Sequence, residues 1–78
     1  MKPFFVLIKC QLGKSYDVAT ELADAEIASE IYSIAGDYDL IVKFYVPEEV
    51  DIGRFVNEQV HHIAGIHDTK TLITFKAF

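Results

Sequence analysis

The order of its hydropathy patterns is the feature that most constrains how this chain can fold. Four segments alternate apolar and polar residues with a period of two, which is typical of strands, and two segments repeat apolar residues with a helical period. The strand patterns cover residues 4–12, 26–35, 38–46 and 67–78, and the helical patterns cover residues 15–25 and 52–63. The predicted order is strand, helix, strand, strand, helix, strand.

Residues suited to caps and turns separate these segments. Ser15 is predicted to cap the first helix with its hydroxyl, and Asp51 or Glu49 is predicted to serve the start of the second. A Gly-Asp pair at 36–37 breaks the alternation and predicts a hairpin between the second and third strands. Gly65 suits the left-handed residue that ends a helix.

This order predicts one α+β domain over residues 1–78 with a ferredoxin-like βαββαβ fold of the dimeric αβ-barrel type. Right-handed crossovers place both helices on one face of a four-stranded antiparallel sheet. The strands nevertheless carry apolar residues toward both faces, as at Phe4 and Phe5 or Leu40 and Ile41. Because a solvated sheet face should be polar, we expect a second copy to cover the helix-free face. Ordinary scatter of exposed apolar residues is the alternative.

The small size of the chain also favours association. A domain of 78 residues buries a marginal core and usually gains support from disulfides, a metal or self-association. Cys10 is the only cysteine, so no disulfide can form within the chain. His61, His62 and His67 lack the spacing of metal ligands, and no metal or cofactor is expected.

Charge and hydropathy exclude two further classes of partner. The net charge is −5, and the seven basic residues are scattered singly along the chain. Nucleic-acid binding needs a clustered basic surface, so direct contact with nucleic acid is not expected. No apolar run approaches the length that crosses a membrane, which predicts no membrane association and a cytoplasmic location.

Few residues suggest catalysis. Asp37 and Asp39 are paired carboxylates, but aspartates in a hairpin loop commonly bond their own backbone. His61 or His62 could pair with Asp68 across the Gly65 turn, and no phosphate-binding glycine motif is present. The prediction is that the chain is not an enzyme.

The same region suits a small zwitterionic ligand. Asp37 or Asp39 can accept hydrogen bonds from an ammonium group, and Gly36 lets the backbone approach a ligand closely. Thr69 and Thr71 can donate hydroxyl hydrogen bonds to a carboxylate. An amino acid requires this combination, which the composition allows.

Two segments resemble the Lrp/AsnC (feast/famine) transcription regulators. The stretch Ile31-Tyr32-Ser33-Ile34-Ala35-Gly36-Asp37-Tyr38-Asp39-Leu40-Ile41-Val42 is similar to the central hairpin of that family. The stretch Gly65-Ile66-His67-Asp68-Thr69-Lys70-Thr71 is similar to its entry into the last strand. Pro47 and the helix with Phe55 and Val56 lie between them at the matching spacing, so the resemblance covers essentially the whole chain.

The resemblance implies a stand-alone RAM domain that lacks the helix-turn-helix and regulates transcription in amino-acid metabolism. It implies a homodimer formed through the sheets, higher oligomers such as an octamer of four dimers, and co-assembly with full-length regulators. It places an amino-acid effector between dimers near the hairpin, at Gly36, Asp37, Tyr38 and Asp39, with Thr69 and Thr71 as weaker candidates. Ala35 departs from the threonine that the family often has before the glycine.

Two other functions stay open at this point. A small dimeric αβ-barrel enzyme would use Asp39, His62 or His67 in a pocket between sheet and helices or inside the dimer barrel. A purely structural oligomerisation partner would bind no small molecule.

Overall fold

Six elements follow one another in the predicted order, and the computed structural model describes all residues from 1 to 78. They are β1 (Lys2–Cys10), α1 (Ser15–Asp24), β2 (Glu30–Ser33), β3 (Leu40–Val46), α2 (Ile52–Gln59) and β4 (Ile66–Ile73).

The strands form one antiparallel sheet in the order β2-β3-β1-β4. β1 lies at the centre, where Val6 pairs with Val42 of β3 on one side and with Thr71 of β4 on the other. The short β2 pairs only with β3, with Ile31 opposite Val42. This topology confirms the ferredoxin-like βαββαβ fold.

The core lies between the helices and one face of the sheet. Alternate residues of β1 and β3 point into it, as the sequence pattern predicts. Phe44 stacks on Phe4 with ring centroids 5.2 Å apart, and Phe55 of α2 meets both rings edge-on. The thirteen buried residues are all apolar: Phe4, Val6, Ile8, Cys10, Val18, Leu22, Leu40, Val42, Phe44, Val46, Val56, Val60 and Ile63.

The two helices begin differently. The Asp51 side chain accepts a hydrogen bond from the backbone N–H of Arg54 at 3.1 Å, which confirms the predicted cap of α2. The predicted cap of α1 is wrong, because Ser15 is the first helical residue and Lys14 occupies the cap position without a side-chain bond. Gly65 has φ +97°, and a Cβ there would lie 3.1 Å from the Val18 side chain, so glycine is required after α2.

Several predicted boundaries were too wide. The second strand is confined to Glu30–Ser33, preceded by a turn in which Glu26 has φ +56°. The second helix ends at Gln59, and residues 60–65 form turns that still bury Val60. The last strand ends at Ile73, which pairs with Phe4 of β1. The next residue of β1 is Pro3, which has no backbone N–H to donate, so the pairing stops there.

The opposite face of the sheet, here termed the open face, is covered by neither helix. Its apolar residues are Phe5 and Leu7 of β1, Tyr32 of β2, Ile41 and Tyr45 of β3, and Leu72 of β4. Tyr32 is 58% exposed, Tyr45 43% and Leu72 36%. The open face therefore presents partly exposed apolar side chains from all four strands.

Candidate functional site

The hairpin loop at residues 34–39 is attached to the end of β1. The Asp39 backbone N–H donates to the Ile8 carbonyl at 2.9 Å, and one Asp39 carboxylate oxygen accepts from the Cys10 N–H at 2.7 Å. The Lys9 ammonium donates to the Asp37 carbonyl at 3.2 Å. Because these bonds connect segments that are far apart in the sequence, they fix the loop against the sheet.

The two aspartates of this loop therefore differ. The Asp39 carboxylate is occupied by the backbone of β1 and has a structural role in this protomer. Asp37 is exposed, and the loop uses only its carbonyl oxygen, so its carboxylate is accessible to an ammonium group. Gly36 has φ +115°, a conformation that other residues rarely adopt, and Tyr38 is half-buried beside it.

A small cavity of about 230 Å³ lies at the start of β4, lined by His61, Ile66, His67, Asp68 and Thr69. His61 Nε2 lies 2.9 Å from the Thr69 hydroxyl, and its Nδ1 lies 3.4 Å from the Asn57 side-chain oxygen. The Asp68 carboxylate accepts from the Thr69 N–H at 2.9 Å. Four of the five lining side chains are polar, so this cavity suits a polar ligand.

The hairpin loop and the cavity lie at the same end of the sheet but on opposite sides of β1. Leu40, which follows the loop, and Thr69 both pair with Ile8. Two strand spacings therefore separate them, about 9–10 Å. Thr71 lies two residues farther along β4, opposite Val6, and is exposed. The structure brings Gly36, Asp37, Tyr38 and Asp39 together, places Thr69 across β1, and leaves Thr71 apart.

His61 is the residue that sequence reasoning missed as a partner of Thr69. The sequence suggested His61 or His62 as a partner of Asp68. His61 and Asp68 do line one cavity, but the His61 ring bonds to Thr69 instead. The turns after α2 and the left-handed Gly65 reverse the chain within eight residues. A reversal this short places His61 near Thr69, and the glycine that permits it was the sequence signal for this contact.

The open face contains an ion pair that lies against two aromatic rings. Lys43 Nζ lies 3.6 Å from the Glu30 carboxylate, 5.0 Å from the centroid of the Tyr45 ring and 5.8 Å from that of Phe5. The Tyr32 hydroxyl donates to the other Glu30 oxygen at 2.7 Å. These five residues are termed the Lys43 cluster.

The pKa values in the Lys43 cluster shift in the direction that keeps it charged. The hydrogen bond from Tyr32 lowers the pKa of Glu30, and the same bond raises the pKa of the Tyr32 hydroxyl. Contact with Tyr45, followed by the attraction of Glu30, raises the pKa of Lys43. At neutral pH the cluster therefore contains one ammonium and one carboxylate.

The residues proposed for an enzyme do not share a cavity. Asp39 bonds to β1, His67 lines the small cavity, and His62 is exposed and lines neither cavity. A larger cavity of about 490 Å³ at the other end of the sheet, beside Pro3 and Ile52, contains none of the three.

Metal-binding clusters and membrane-spanning helices are both absent from the structure. No three His, Cys, Asp or Glu side chains are grouped so as to hold a metal ion. Neither helix has the length and apolar character needed to cross a membrane.

The fold defines a class of protein, the small ferredoxin-like βαββαβ domains with one four-stranded antiparallel sheet. In the crystal structure of FFRP-DM1, 96% of this chain and 100% of that chain superpose with a TM-score of 0.87 at 31% identity. The structure of TTHA0845 from Thermus thermophilus gives a TM-score of 0.89 at 26% identity, over 100% of this chain and 98% of that chain.

The sequence comparison identifies the family. Residues 4–78 match the family model of the Lrp/AsnC ligand binding domain, and the chain belongs to this family. It is 35% identical over 72 residues to the HTH-type transcriptional regulator FL11 of Pyrococcus abyssi, over 92% of this chain and 47% of that protein. The chain thus spans about half the length of the curated relatives it matches.

Proposed function

We propose that this chain is an effector-binding and self-association domain in the transcriptional regulation of amino-acid metabolism, and that it acts as a single domain over residues 1–78 without enzyme activity. The observation that carries the proposal is the open face, which presents Phe5, Leu7 and Ile41 where no helix of the chain can reach. Membership of a ligand-binding regulator family supports the effector half.

Charge favours a second copy as the cover of the open face. The ionic residues on this face are three lysines and two carboxylates: Lys9, Lys43, Lys70, Glu30 and Asp68. The rest of the chain carries four basic and ten acidic residues, so it repels another copy of itself. The open face lacks this excess of negative charge, so two copies can bring their open faces together without the repulsion that opposes contact between their acidic surfaces, and we propose a homodimer on this face.

Sedimentation velocity over a range of concentrations tests the homodimer. We expect the chain to sediment as a dimer or larger at tens of micromolar, because uncovered apolar faces associate in water. Sedimentation as a monomer of 8.8 kDa throughout this range would contradict self-association.

We further propose that the effector site is divided between protomers, and the separation of the candidate residues supports this. In one protomer the Asp37 side and the Thr69 side are two strands apart, farther than the ammonium and carboxylate of one α-amino acid. Each protomer thus offers Asp37 as an ammonium acceptor and Thr69, whose hydroxyl can donate while it accepts from the His61 ring N–H, to different ligands. We place the complete site between protomers of neighbouring dimers, with Gly36, Tyr38 and Asp39 shaping one side and Thr71 at the margin of the other. An octamer of four dimers, or co-assembly with full-length regulators, provides such contacts.

Thermal unfolding in the presence of each of the twenty amino acids tests the effector half. A ligand that binds only the folded protein at a hundred times its dissociation constant adds about 2.7 kcal/mol of stability. We expect one or a few amino acids at millimolar concentration to raise the unfolding temperature. Asp37→Asn should abolish that response, whereas Glu21→Gln, which removes the same charge from the exposed side of α1, should retain it.

The absence of any response would overturn the effector half while leaving self-association intact. It would favour the purely structural partner, for which the open face alone suffices. The enzyme alternative has weaker support, because Asp39, His62 and His67 do not converge on one cavity.

A further inference from the structure

The Lys43 cluster places two charges in the middle of an apolar surface. Lys43 lies in β3 between Phe5 on β1 and Glu30 on β2, at positions that pair across the sheet. Its side chain is 25% exposed and that of Glu30 is 42% exposed. A lysine on a solvated face normally extends into water, whereas this one lies along two aromatic rings and a carboxylate.

In a lone protomer this ion pair has little energetic weight. Water reaches both charges, and solvent-exposed pairs of this kind contribute little to the stability of a fold. The energetic contribution of the pair increases when a second surface removes that water, because a charge buried without its partner is strongly unfavourable. The pair then has to enter the contact as a neutral unit.

We infer that Glu30 and Lys43 select the partner of the open face, admitting a second copy of this chain because each copy carries both charges. The inference rests on the proposed face-to-face dimer. Symmetry strengthens the effect, since a substitution in a two-fold contact occurs twice. Loss of Lys43 leaves two carboxylates in one interface, and loss of Glu30 leaves two ammonium groups there.

A double-mutant cycle on the dimer dissociation constant tests this inference. We expect K43M and E30Q each to raise the dissociation constant at least tenfold, and the E30Q/K43M chain to return to within about threefold of the unsubstituted chain. Unfolding temperatures at concentrations where each chain is monomeric should differ by only a few degrees, because the pair is exposed there.

Mixing the two single variants tests selection directly. Equimolar E30Q and K43M chains should associate at least tenfold more tightly than either alone, because the mixed contact again contains one ammonium and one carboxylate. The matched controls are K14M and D17N, which break the Lys14–Asp17 pair (3.9 Å) on α1. These controls should leave the dissociation constant within twofold.

Each contrary result has a distinct meaning. Equal dissociation constants for all four chains of the cycle would place the cluster outside the interface and overturn the inference. A double variant that is as weak as the sum of its single changes, or a mixture no tighter than its components, would overturn selection by the pair. If the unsubstituted chain were monomeric at every concentration, the proposed dimer itself would fail.

Discussion

The two faces of the sheet are built from the same strands but differ in burial and in charge. Toward the helices, Phe4, Val6, Val42 and Phe44 are fully buried within the apolar core. Toward the open side, alternate residues of β1 and β3 are partly exposed and include the charged Lys43. The first face is covered by the two helices of the chain, whereas the second is covered by neither.

This difference separates the determinants of folding from those of association. A residue on the helix-covered face loses its contacts only when the chain unfolds. If the chain dimerises as proposed, a residue on the open face keeps most of its neighbours in the monomer and gains the rest from another copy. Substitutions of neighbouring residues along one strand should therefore have effects of different kinds.

The largest expected effect is on the helix-covered face. Phe44→Ala removes a fully buried ring that packs on Phe4 and Phe55, and should lower the free energy of unfolding by about 3–5 kcal/mol. Urea unfolding at a fixed low concentration measures this loss, and Phe44→Leu provides a milder change if the alanine variant does not fold. Tyr45→Ala on the open face should cost far less, and similar losses at both positions would erase the distinction between the faces.

The open face should show the reverse pattern. Leu7→Asp replaces an apolar side chain of the proposed contact by a carboxylate whose cross-strand neighbours are Ile41 and Lys70, and should raise the dimer dissociation constant at least tenfold. The unfolding temperature of the dilute monomer should change much less. Tyr16→Asp, on the exposed side of α1, is the control and should dimerise normally. Unchanged dimerisation of the Leu7 variant would remove the open face from the contact.

The hairpin loop should distinguish a structural from a ligand-binding aspartate. Asp39→Ala leaves the Cys10 N–H without its acceptor and should cost about 1–3 kcal/mol of stability, measured by urea unfolding. Asp37→Ala should change stability by less than about 0.5 kcal/mol, because only its carbonyl contributes to the loop. Equal stability losses would show that both carboxylates are structural and would weaken the effector proposal.

The smallest expected effect concerns Cys10 on the covered face. Burial raises the pKa of its thiol, the Ser15 hydroxyl opposes that shift, and the charge of Asp39 adds to it. Because the pKa of the thiol is higher in the folded state than in the unfolded state, the neutral Cys10 thiol stabilises the folded chain. This stabilisation is complete below the thiol pKa of the unfolded state and is lost as the pH rises through the thiol pKa of the folded state. Urea unfolding between about pH 7 and pH 10 should show a steeper loss for the native chain than for Cys10→Ala. If the free energy of unfolding fell equally with pH in both chains, the thiol would have the same pKa in the folded and unfolded states, which would contradict this prediction.

The alternation of residues predicted which side chains of β1 and β3 fill the core, but not where each strand ends. Phe4, Val6, Ile8, Cys10 and Leu12 were assigned to one face from period two alone; the first four are buried, whereas Leu12 lies beyond the end of β1 and is fully exposed. The element order and the sheet topology followed from the same patterns together with the right-handed crossover. These features depend on local spacing, which a single sequence displays directly.

Features that depend on distant partners were not visible in the sequence. The end of β4 is set by Pro3, at the opposite end of the chain, and the role of Asp39 is set by the backbone of Cys10. Ser15 has the chemistry of a cap, yet Lys14 takes that position. The Lys43 cluster likewise contains residues of three strands, β1, β2 and β3. Alternation within one strand shows only that Lys43 and Tyr45 share a face, so the cluster could not be predicted from it.

The central claim is that a second copy covers the open face, and sedimentation equilibrium of the unsubstituted chain tests it most directly. The predicted result is a weight-average mass that rises from 8.8 kDa at high dilution to at least twice that value at tens of micromolar. A mass that stays at 8.8 kDa across the whole range would show that the open face remains in water and would contradict the account.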